Sequence, residues 1–140
     1  MSYNLFMAKQ YIDKLAIIKI RDRKLLVTLS KGKNTWYIPG GKREGNETDS
    51  KALTREVKEE LQVDVIPETI KPCGVFEAQA HGKPPGTIVR MTCFTASFLG
   101  ILTPSAEIER FDWFQYSQKH LCSTVDNLIF EDLKLKNLID

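Results

Sequence analysis

Three glutamates within one short stretch are the residues of this sequence best suited to chemistry. Glu56, Glu59 and Glu60 lie in the run Arg55-Glu56-Val57-Lys58-Glu59-Glu60-Leu61. If the run is helical, successive residues rotate by about 100°, so the three carboxylates share one face within a turn. Like charges at this spacing destabilise a helix, and more strongly where packing lowers the local dielectric. The pattern therefore predicts a compensating cation beside this face.

The type of cation follows from the ligands that the helix offers. Lys58 points away from the glutamates, and Arg55 alone cannot neutralise three carboxylates. No histidine or cysteine lies nearby in the helix, so the ligands are all oxygen atoms. Oxygen ligands favour Mg²⁺ or Mn²⁺ over zinc. The alternative is an acidic helix face that is simply solvated, which is the commoner origin of an isolated Glu-x-x-Glu-Glu.

Residues upstream of the glutamates favour the metal interpretation. Gly41 is followed after five residues by Glu47, and Glu47 after seven by Arg55 and a run that continues to Val63. This pattern resembles the Nudix box, and the chain is similar to the MutT-like members of the Nudix hydrolase family. Six specified positions at fixed spacing arise by chance about once in 10⁷ starting points. One position departs, because Gln62 stands where the family has a glycine, and this predicts an altered helix exit or mild strain.

The resemblance implies an α/β fold, the Nudix α/β/α sandwich with a mixed central sheet. It also implies Mg²⁺- or Mn²⁺-dependent cleavage of a phosphoanhydride bond in a nucleoside diphosphate derivative. The residues that mark two subgroups of the family are absent outside the box. Gln79 stands where ADP-ribose-type members have a proline, and His81 stands where dinucleoside-polyphosphate members have a tyrosine. We therefore expect a (deoxy)nucleoside triphosphate that is cleaved to the monophosphate and pyrophosphate. The alternatives are an ADP-ribose or nucleotide-sugar pyrophosphatase and a non-catalytic Nudix module that senses a nucleotide.

The resemblance also implies roles for individual residues of the box. The metal ligands that it implies are the Gly41 carbonyl, Glu56, Glu59 and Glu60. Glu47 and Arg55 are expected to pair across the junction of loop and helix and to position a catalytic glutamate.

The identity of the general base is left open between two regions of the chain. It is either a glutamate of the box, Glu56 or Glu59, or one from a loop outside it, where Glu107 and Glu109 are the candidates. Both loop residues could equally be exposed surface acids.

Substrate contacts are indicated only weakly, since cations and aromatic residues in strands more often serve packing or lie on the surface. The candidates for phosphate contacts are Lys42, Arg90 and Lys83. The candidates for stacking on a base are Trp36, Phe76 and Phe111.

The elements that must position these residues can be read from the apolar pattern. Leu53, Val57 and Leu61 form one helical stripe, which Thr48 or Asp49 can cap. Apolar runs at 15–20 and 25–29 predict a hairpin, and 36–38 predicts a short extended piece stopped by a proline. Further strands are predicted at 63–66, 71–80, 87–99 and 110–114, and a closing helix at 125–139. Strands before and after a central helix indicate α/β or α+β with a mixed sheet.

Composition sets the remaining expectations. A length of 140 residues, with 42% hydrophobic and 27% charged residues, is typical of one globular domain over 1–140. A net charge of +2 gives no concentrated basic face, so neither a nucleic-acid polymer nor a membrane is expected as partner. A small-molecule nucleotide is the expected partner. Dimers are common among family members, and the 71–80 strand could mediate a homodimer.

The cysteines and the N-terminus point to a reducing compartment. Cys73, Cys93 and Cys122 are odd in number and widely spaced, which predicts reduced and mostly buried thiols. Charged residues such as Lys9 and Asp13 interrupt the apolar stretches near the N-terminus, so no signal peptide is recognised. A cytoplasmic location is expected.

Overall fold

Strands dominate the fold, and two helices flank them. The computed structural model describes residues 8–140. Its strands are β1 (Gln10–Ile17), β2 (Ile20–Arg21), β3 (Lys24–Ser30), β4 (Trp36–Tyr37), β5 (Gly40–Gly41), β6 (Asp64–Val65), β7 (Lys71–Gln79), β8 (Thr87–Thr95), β9 (Phe98–Leu99) and β10 (Ile108–Phe114). The α-helices are α1 (Asp49–Leu61) and α2 (Thr124–Leu135), and short 3-10 turns span Pro67–Thr69 and Tyr116–Leu121.

The strands form two four-stranded sheets and one small ribbon. The first sheet has the order β5-β1-β8-β7, with β1 and β8 parallel and the other neighbours antiparallel. In the second sheet β3 pairs with β10, β2 and β4, all antiparallel. Strands β6 and β9 pair with each other. The predicted mixed α/β architecture is confirmed.

Two apolar cores hold the layers together, one under each helix. Leu15 and Ile17 of β1 join the α1 stripe in one core. Ala16 and Ile18 point the other way and join the core under α2, which contains Phe130. Because β1 is buried on both faces here, its sequence reads as a continuous apolar run rather than an alternating one.

The predicted hairpin at 15–20 and 25–29 is only partly correct. The two-residue turn Asp22-Arg23 has φ values of 51° and 62°, as tight hairpins require, and it joins β2 to β3. The residues up to Ile17 instead belong to β1, which pairs with β8 and β5 in the other sheet. The predicted strand at 87–99 is likewise divided between β8 and β9. Apolar patterning finds strand residues but does not show where the chain changes sheet.

Both ends of α1 lie within the box, which runs from Gly41 to Val63. Thr48 is the N-cap, since its hydroxyl oxygen accepts a hydrogen bond from the Lys51 N–H at 3.2 Å. The helix exits through Gln62 at φ 58° and ψ 29°, the left-handed conformation that a glycine adopts easily. The Gln62 side chain donates to the Lys58 carbonyl and to the Ser105 hydroxyl, both at 3.1 Å. Of the two expectations for Gln62, mild strain is therefore correct and an altered exit is wrong.

The remaining elements differ little from the expectations. Helix α2 ends at Leu135 rather than 139, and Asn137 then adopts a left-handed φ of 57°. All three cysteines are free, with Cys93 and Cys122 buried and Cys73 half-buried. Within residues 8–140, no helix is long and apolar enough to cross a membrane.

Candidate active site

The acidic face of α1 borders an open cleft. We call it the carboxylate cleft and define it by the charged residues and the two glycines that line it: Lys14, Gly40, Gly41, Lys42, Glu56, Glu60 and Glu107. The cleft is lined by residues from strand β1, strand β5, helix α1 and the loop before β10. Two of the three helix glutamates and one of the two loop candidates thus meet in one place.

Close backbone packing explains the two glycines of β5. A Cβ atom on Gly41 would lie 2.4 Å from the carboxyl carbon of Glu56, so the carboxylate fills the space that a side chain would need. A Cβ atom on Gly40 would lie 1.9 Å from the Leu15 carbonyl oxygen, and Gly40 has a φ of 148°. The two glycines allow α1 and β1 to approach this strand from both sides.

Glu60 is the most buried of the glutamates, with 7% of its surface exposed. Its Oε1 accepts a hydrogen bond from the Gly40 N–H at 2.9 Å. The pKa of Glu60 is raised to about 8, mainly by burial and also by the negative charges of Glu56, Glu107 and Glu59, while the Gly40 hydrogen bond opposes this shift. The protein by itself therefore leaves this carboxylate poorly compensated.

Glu56 is half-buried beside the Gly41 backbone. Burial is the main reason that the pKa of Glu56 is raised, and the guanidinium of Arg55 opposes it. Arg55 Nη1 donates to Glu56 Oε1 at 2.9 Å. One oxygen of the carboxylate is thus held by the arginine.

Arg55 also closes the junction between the loop and α1. Its Nε and Nη2 donate to the two oxygens of Glu47, each at 2.8 Å, and Nη2 also donates to the Lys42 carbonyl at 2.9 Å. The Glu44 N–H donates to Glu47 Oε1 at 2.7 Å. These bonds hold the pKa of Glu47 at about 2 and raise that of Arg55. The bidentate pair fixes Arg55 where it can orient Glu56.

The donor set of the cleft suits a hard divalent cation. Carboxylate oxygens of Glu56 and Glu60 and the Gly41 backbone border one space, which is the ligand chemistry of Mg²⁺ or Mn²⁺. Among residues 8–140, no three Asp, Glu, His or Cys side chains already converge on a single point. One reason is visible, since Glu56 is turned toward Arg55.

The other acidic candidates differ in position. Glu59 is exposed, and its only bonds to Arg55 are long, at 3.4 Å. Glu107 lines the cleft and contributes to the raised pKa of Glu56 and Glu60. Glu109 is exposed and lies 3.8 Å from Arg110, outside the cleft lining. Of the two loop candidates, only Glu107 is brought to the cleft.

Arg90 also lies outside the cleft lining. It is on β8, with Nε 2.6 Å from Glu77 and its guanidinium 4.2 Å from the Tyr11 ring centroid. Lys42, in contrast, lines the cleft. The structure therefore favours Lys42 over Arg90 as a phosphate contact.

None of the three stacking candidates lines the cleft. Trp36 is buried and packs on Phe114 with ring centroids 4.9 Å apart. Phe76 packs against the core under α2, and Phe111 against the core under α1. All three aromatic side chains serve packing here, so the stacking interpretation of them is not supported.

A second, more enclosed cavity adjoins the cleft. We call it the side cavity. Lys14, Tyr37 and Met91 line both spaces, and Lys83 and His81 lie at the side cavity. Its walls are largely apolar, and its apolar residues are Ile12, Ala80, Val89, Met91 and Val125.

Two charged residues near the boundary between the cleft and the side cavity were not recognised as candidates from the sequence. Lys14 lies in β1 beside the buried Leu15. Asp126 is fully buried in α2, and burial raises its pKa to about 7. Its helical spacing to the core residues Ile129 and Phe130 was a usable signal, because an aspartate on that face must point inward.

Comparison with known proteins agrees with this geometry. The model of the NUDIX domain matches residues 12–127. The chain belongs to the NUDIX family. A Proteus vulgaris protein named "8-oxo-dGTP diphosphatase" is 43% identical over 49 residues, which is 35% of this chain and 39% of that protein. A human protein named "8-oxo-dGDP phosphatase NUDT18" is 37% identical over 62 residues, which is 43% of this chain and 19% of that protein. Both matches thus span well under two thirds of the relative's length.

Solved structures show the Nudix fold over nearly the whole chain. The Escherichia coli ORF135 protein has a TM-score of 0.70 at 23% identity and covers 94% of this chain and 96% of its own. The MutT protein from Methanosarcina mazei Go1 has a TM-score of 0.73 at 18% identity, with 94% and 98% covered. The expected α/β/α Nudix architecture is confirmed.

Proposed function

We propose that this Nudix chain hydrolyses a phosphoanhydride bond in a nucleoside diphosphate derivative. The preferred substrate is a (deoxy)nucleoside triphosphate, cleaved to the monophosphate and pyrophosphate. The observation that carries the proposal is the buried Glu60 beside Glu56 and the Gly41 backbone. A carboxylate with so few compensating contacts is destabilised unless a cation joins it.

The residues that would hold the cation are Glu56, Glu60 and the Gly41 carbonyl, with Glu59 alongside. A bound Mg²⁺ or Mn²⁺ supplies charge neutralisation on the phosphate oxygens and lowers the pKa of a coordinated water. The Gly40 N–H holds one oxygen of Glu60 and thereby aims the other, and Arg55 does the same for Glu56. Glu47 keeps Arg55 in place. This arrangement positions the ligands before substrate arrives.

The proton from the attacking water goes to a glutamate of the cleft. Glu107 lines the cleft from the loop before β10, and Glu56 lines it from α1. We retain both as candidates for the general base. Lys42 brings positive charge to the same cleft and suits the phosphate chain of the substrate.

The side cavity suits the other end of such a substrate. It opens beside the carboxylate cleft and has apolar walls, as pockets for planar ligands commonly do. With the phosphates in the cleft, the nucleobase would enter the side cavity. The names of the two curated relatives make an oxidised deoxyguanosine nucleotide the first substrate to test.

The test is release of the nucleoside monophosphate, the product common to all candidate substrates, from a panel of nucleotides with Mg²⁺ and with Mn²⁺. The panel holds 8-oxo-dGTP, 8-oxo-dGDP, the ordinary nucleoside triphosphates, ADP-ribose and a nucleotide sugar. We expect turnover of at least one triphosphate, and a loss of at least about a hundredfold in Glu60→Gln, because a metal ligand is removed. Exposed Glu68 provides the matched control, and Glu68→Gln should retain full activity.

Three results would change the proposal. Turnover confined to ADP-ribose or the nucleotide sugar would move the substrate to the alternative class. Equal turnover by wild type and Glu60→Gln would remove the catalytic role of the cleft. Nucleotide binding with no turnover of any panel member would instead identify a sensing module.

A further inference from the structure

Lys14 occupies the boundary between the carboxylate cleft and the side cavity. It lines both spaces and is half-buried on β1, where it is in register with Met91 of β8. Its ammonium lies 5.8 Å from the Tyr37 ring centroid. Within residues 8–140 it has no hydrogen-bond or ion-pair partner, and its interactions with charged groups act only at longer range. A half-buried ammonium without a hydrogen-bond or ion-pair partner in the described part of the chain is a candidate for a ligand contact.

A buried carboxylate, that of Asp126, acts electrostatically on this lysine. Asp126 Oδ2 accepts a hydrogen bond from the Ile38 N–H at 3.2 Å, whereas the buried Oδ1 has no partner among the described residues. The Asp126 charge is the largest favourable electrostatic effect on Lys14, ahead of those of Glu60 and Glu56. Asp126 does not line either space, so its influence on a ligand would pass through Lys14.

The chemistry of an ammonium limits what it can contact. Lysine only donates hydrogen bonds, so the ligand atom beside it must be an acceptor. Lys42 lines the cleft but not the side cavity, whereas Lys14 lines both. Lys14 therefore stands where a base enters the side cavity. A carbonyl oxygen of the base fits that position, and an exocyclic amino group, itself a donor, does not.

We propose that Lys14 is a specificity-determining residue that donates a hydrogen bond to a carbonyl oxygen of the nucleobase and so favours keto purines over amino purines. The inference rests on the proposed function, because it needs the base in the side cavity. Asp126 is its positioning residue, because its negative charge is the largest favourable electrostatic effect on the Lys14 ammonium.

The experiment compares inosine and adenosine nucleotides, which carry a keto group and an amino group respectively at purine C6. Calorimetry gives the dissociation constants of IMP and AMP, and kinetics give KM and kcat for ITP and ATP. The variants are Lys14→Met, the charge-retaining Lys14→Arg, and Lys24→Met as a control at an exposed lysine of β3.

We expect wild type to prefer the inosine nucleotides. Lys14→Met should weaken inosine binding about ten- to hundredfold, as loss of a charged hydrogen bond does, and change adenosine binding and kcat by less than about threefold. Lys14→Arg should keep the keto preference, and Lys24→Met should change nothing. An equal loss for both bases would mean a phosphate contact and overturn the inference, as would no change at all.

The two proposals fail differently. Lys14-dependent preference for IMP without turnover of any nucleotide would overturn hydrolysis and support the role of Lys14. Turnover with a keto preference that survives Lys14→Met would overturn the role of Lys14 alone.

The positioning role of Asp126 has its own test. Asp126→Asn should reduce the preference for IMP in the wild-type background but not in the Lys14→Met background. The reason is that the effects of substitutions at two residues that act together are not additive. Thermal unfolding of each variant shows whether the fold is retained. An equal effect of Asp126→Asn in both backgrounds would overturn the positioning role.

Discussion

Glu47 and Glu60 are the same residue type within one box, yet their surroundings move their pKa in opposite directions. At the junction of loop and helix, Arg55 and the Glu44 N–H hold the pKa of Glu47 at about 2. In the carboxylate cleft, burial and neighbouring glutamates raise that of Glu60 to about 8. The junction is electrostatically complete without any ligand, whereas the cleft is not. We therefore propose that the junction serves as the frame and the cleft as the place where a cation and substrate bind.

The largest expected difference between the two regions is in catalysis. We expect Glu56→Gln to lower kcat/KM at least about a hundredfold, because it removes a charged oxygen ligand from the cleft. Glu47→Gln should cost only about tenfold, since Arg55 keeps its bonds to Glu56 and to the Lys42 carbonyl. Steady-state kinetics with the best substrate measure both. A larger loss for Glu47→Gln than for Glu56→Gln would reverse the assignment of frame and binding site.

The pH dependence of stability gives a second test of the comparison. Between pH 4.5 and about 8, folded Glu60 keeps its proton while unfolded Glu60 has released it. The folded state then binds more protons, so metal-free wild type should lose stability as the pH rises through this window. Glu60→Gln has no such loss, and its amide oxygen can still accept from Gly40. Without metal it should be the more stable protein at pH 8, by a few kcal/mol, at roughly 1.4 kcal/mol per pKa unit.

Urea unfolding in a chelator at pH 5, 6, 7 and 8 measures this effect. The advantage of Glu60→Gln should shrink toward pH 5, and added Mg²⁺ should stabilise wild type more than the variant. A constant difference across the pH range would show that Glu60 is not the titrating group.

The smallest expected effect lies outside both regions, at the end of α1. Gln62→Gly should stabilise the protein by about 0.5 kcal/mol, because glycine relieves the left-handed backbone while two side-chain hydrogen bonds are lost. Thermal unfolding and the activity assay check this, with activity expected within about twofold of wild type. A marked loss of activity would mean that the helix exit also shapes the cleft.

The sequence determined the local features of this protein. The glutamate run, the glycine at 41 and the Glu47–Arg55 spacing identified the box, since covalent spacing on one helix fixes which side chains share a face. The apolar stripe of α1 and its Thr48 cap were readable for the same reason. The tight turn at Asp22-Arg23 was also readable from the short polar gap between two apolar runs.

Only the tertiary structure decided which distant residues meet. It divided the run 15–20 between two sheets, and it brought Glu107 to the cleft while leaving Glu109 outside. It also brought Lys14 under the electrostatic influence of Asp126, which is distant in sequence. These outcomes depend on strand pairing and burial between residues remote in sequence, which no local pattern encodes. Burial of Glu60 and the pairing of Glu47 with Arg55, rather than residue type, separate the pKa of Glu47 from that of Glu60.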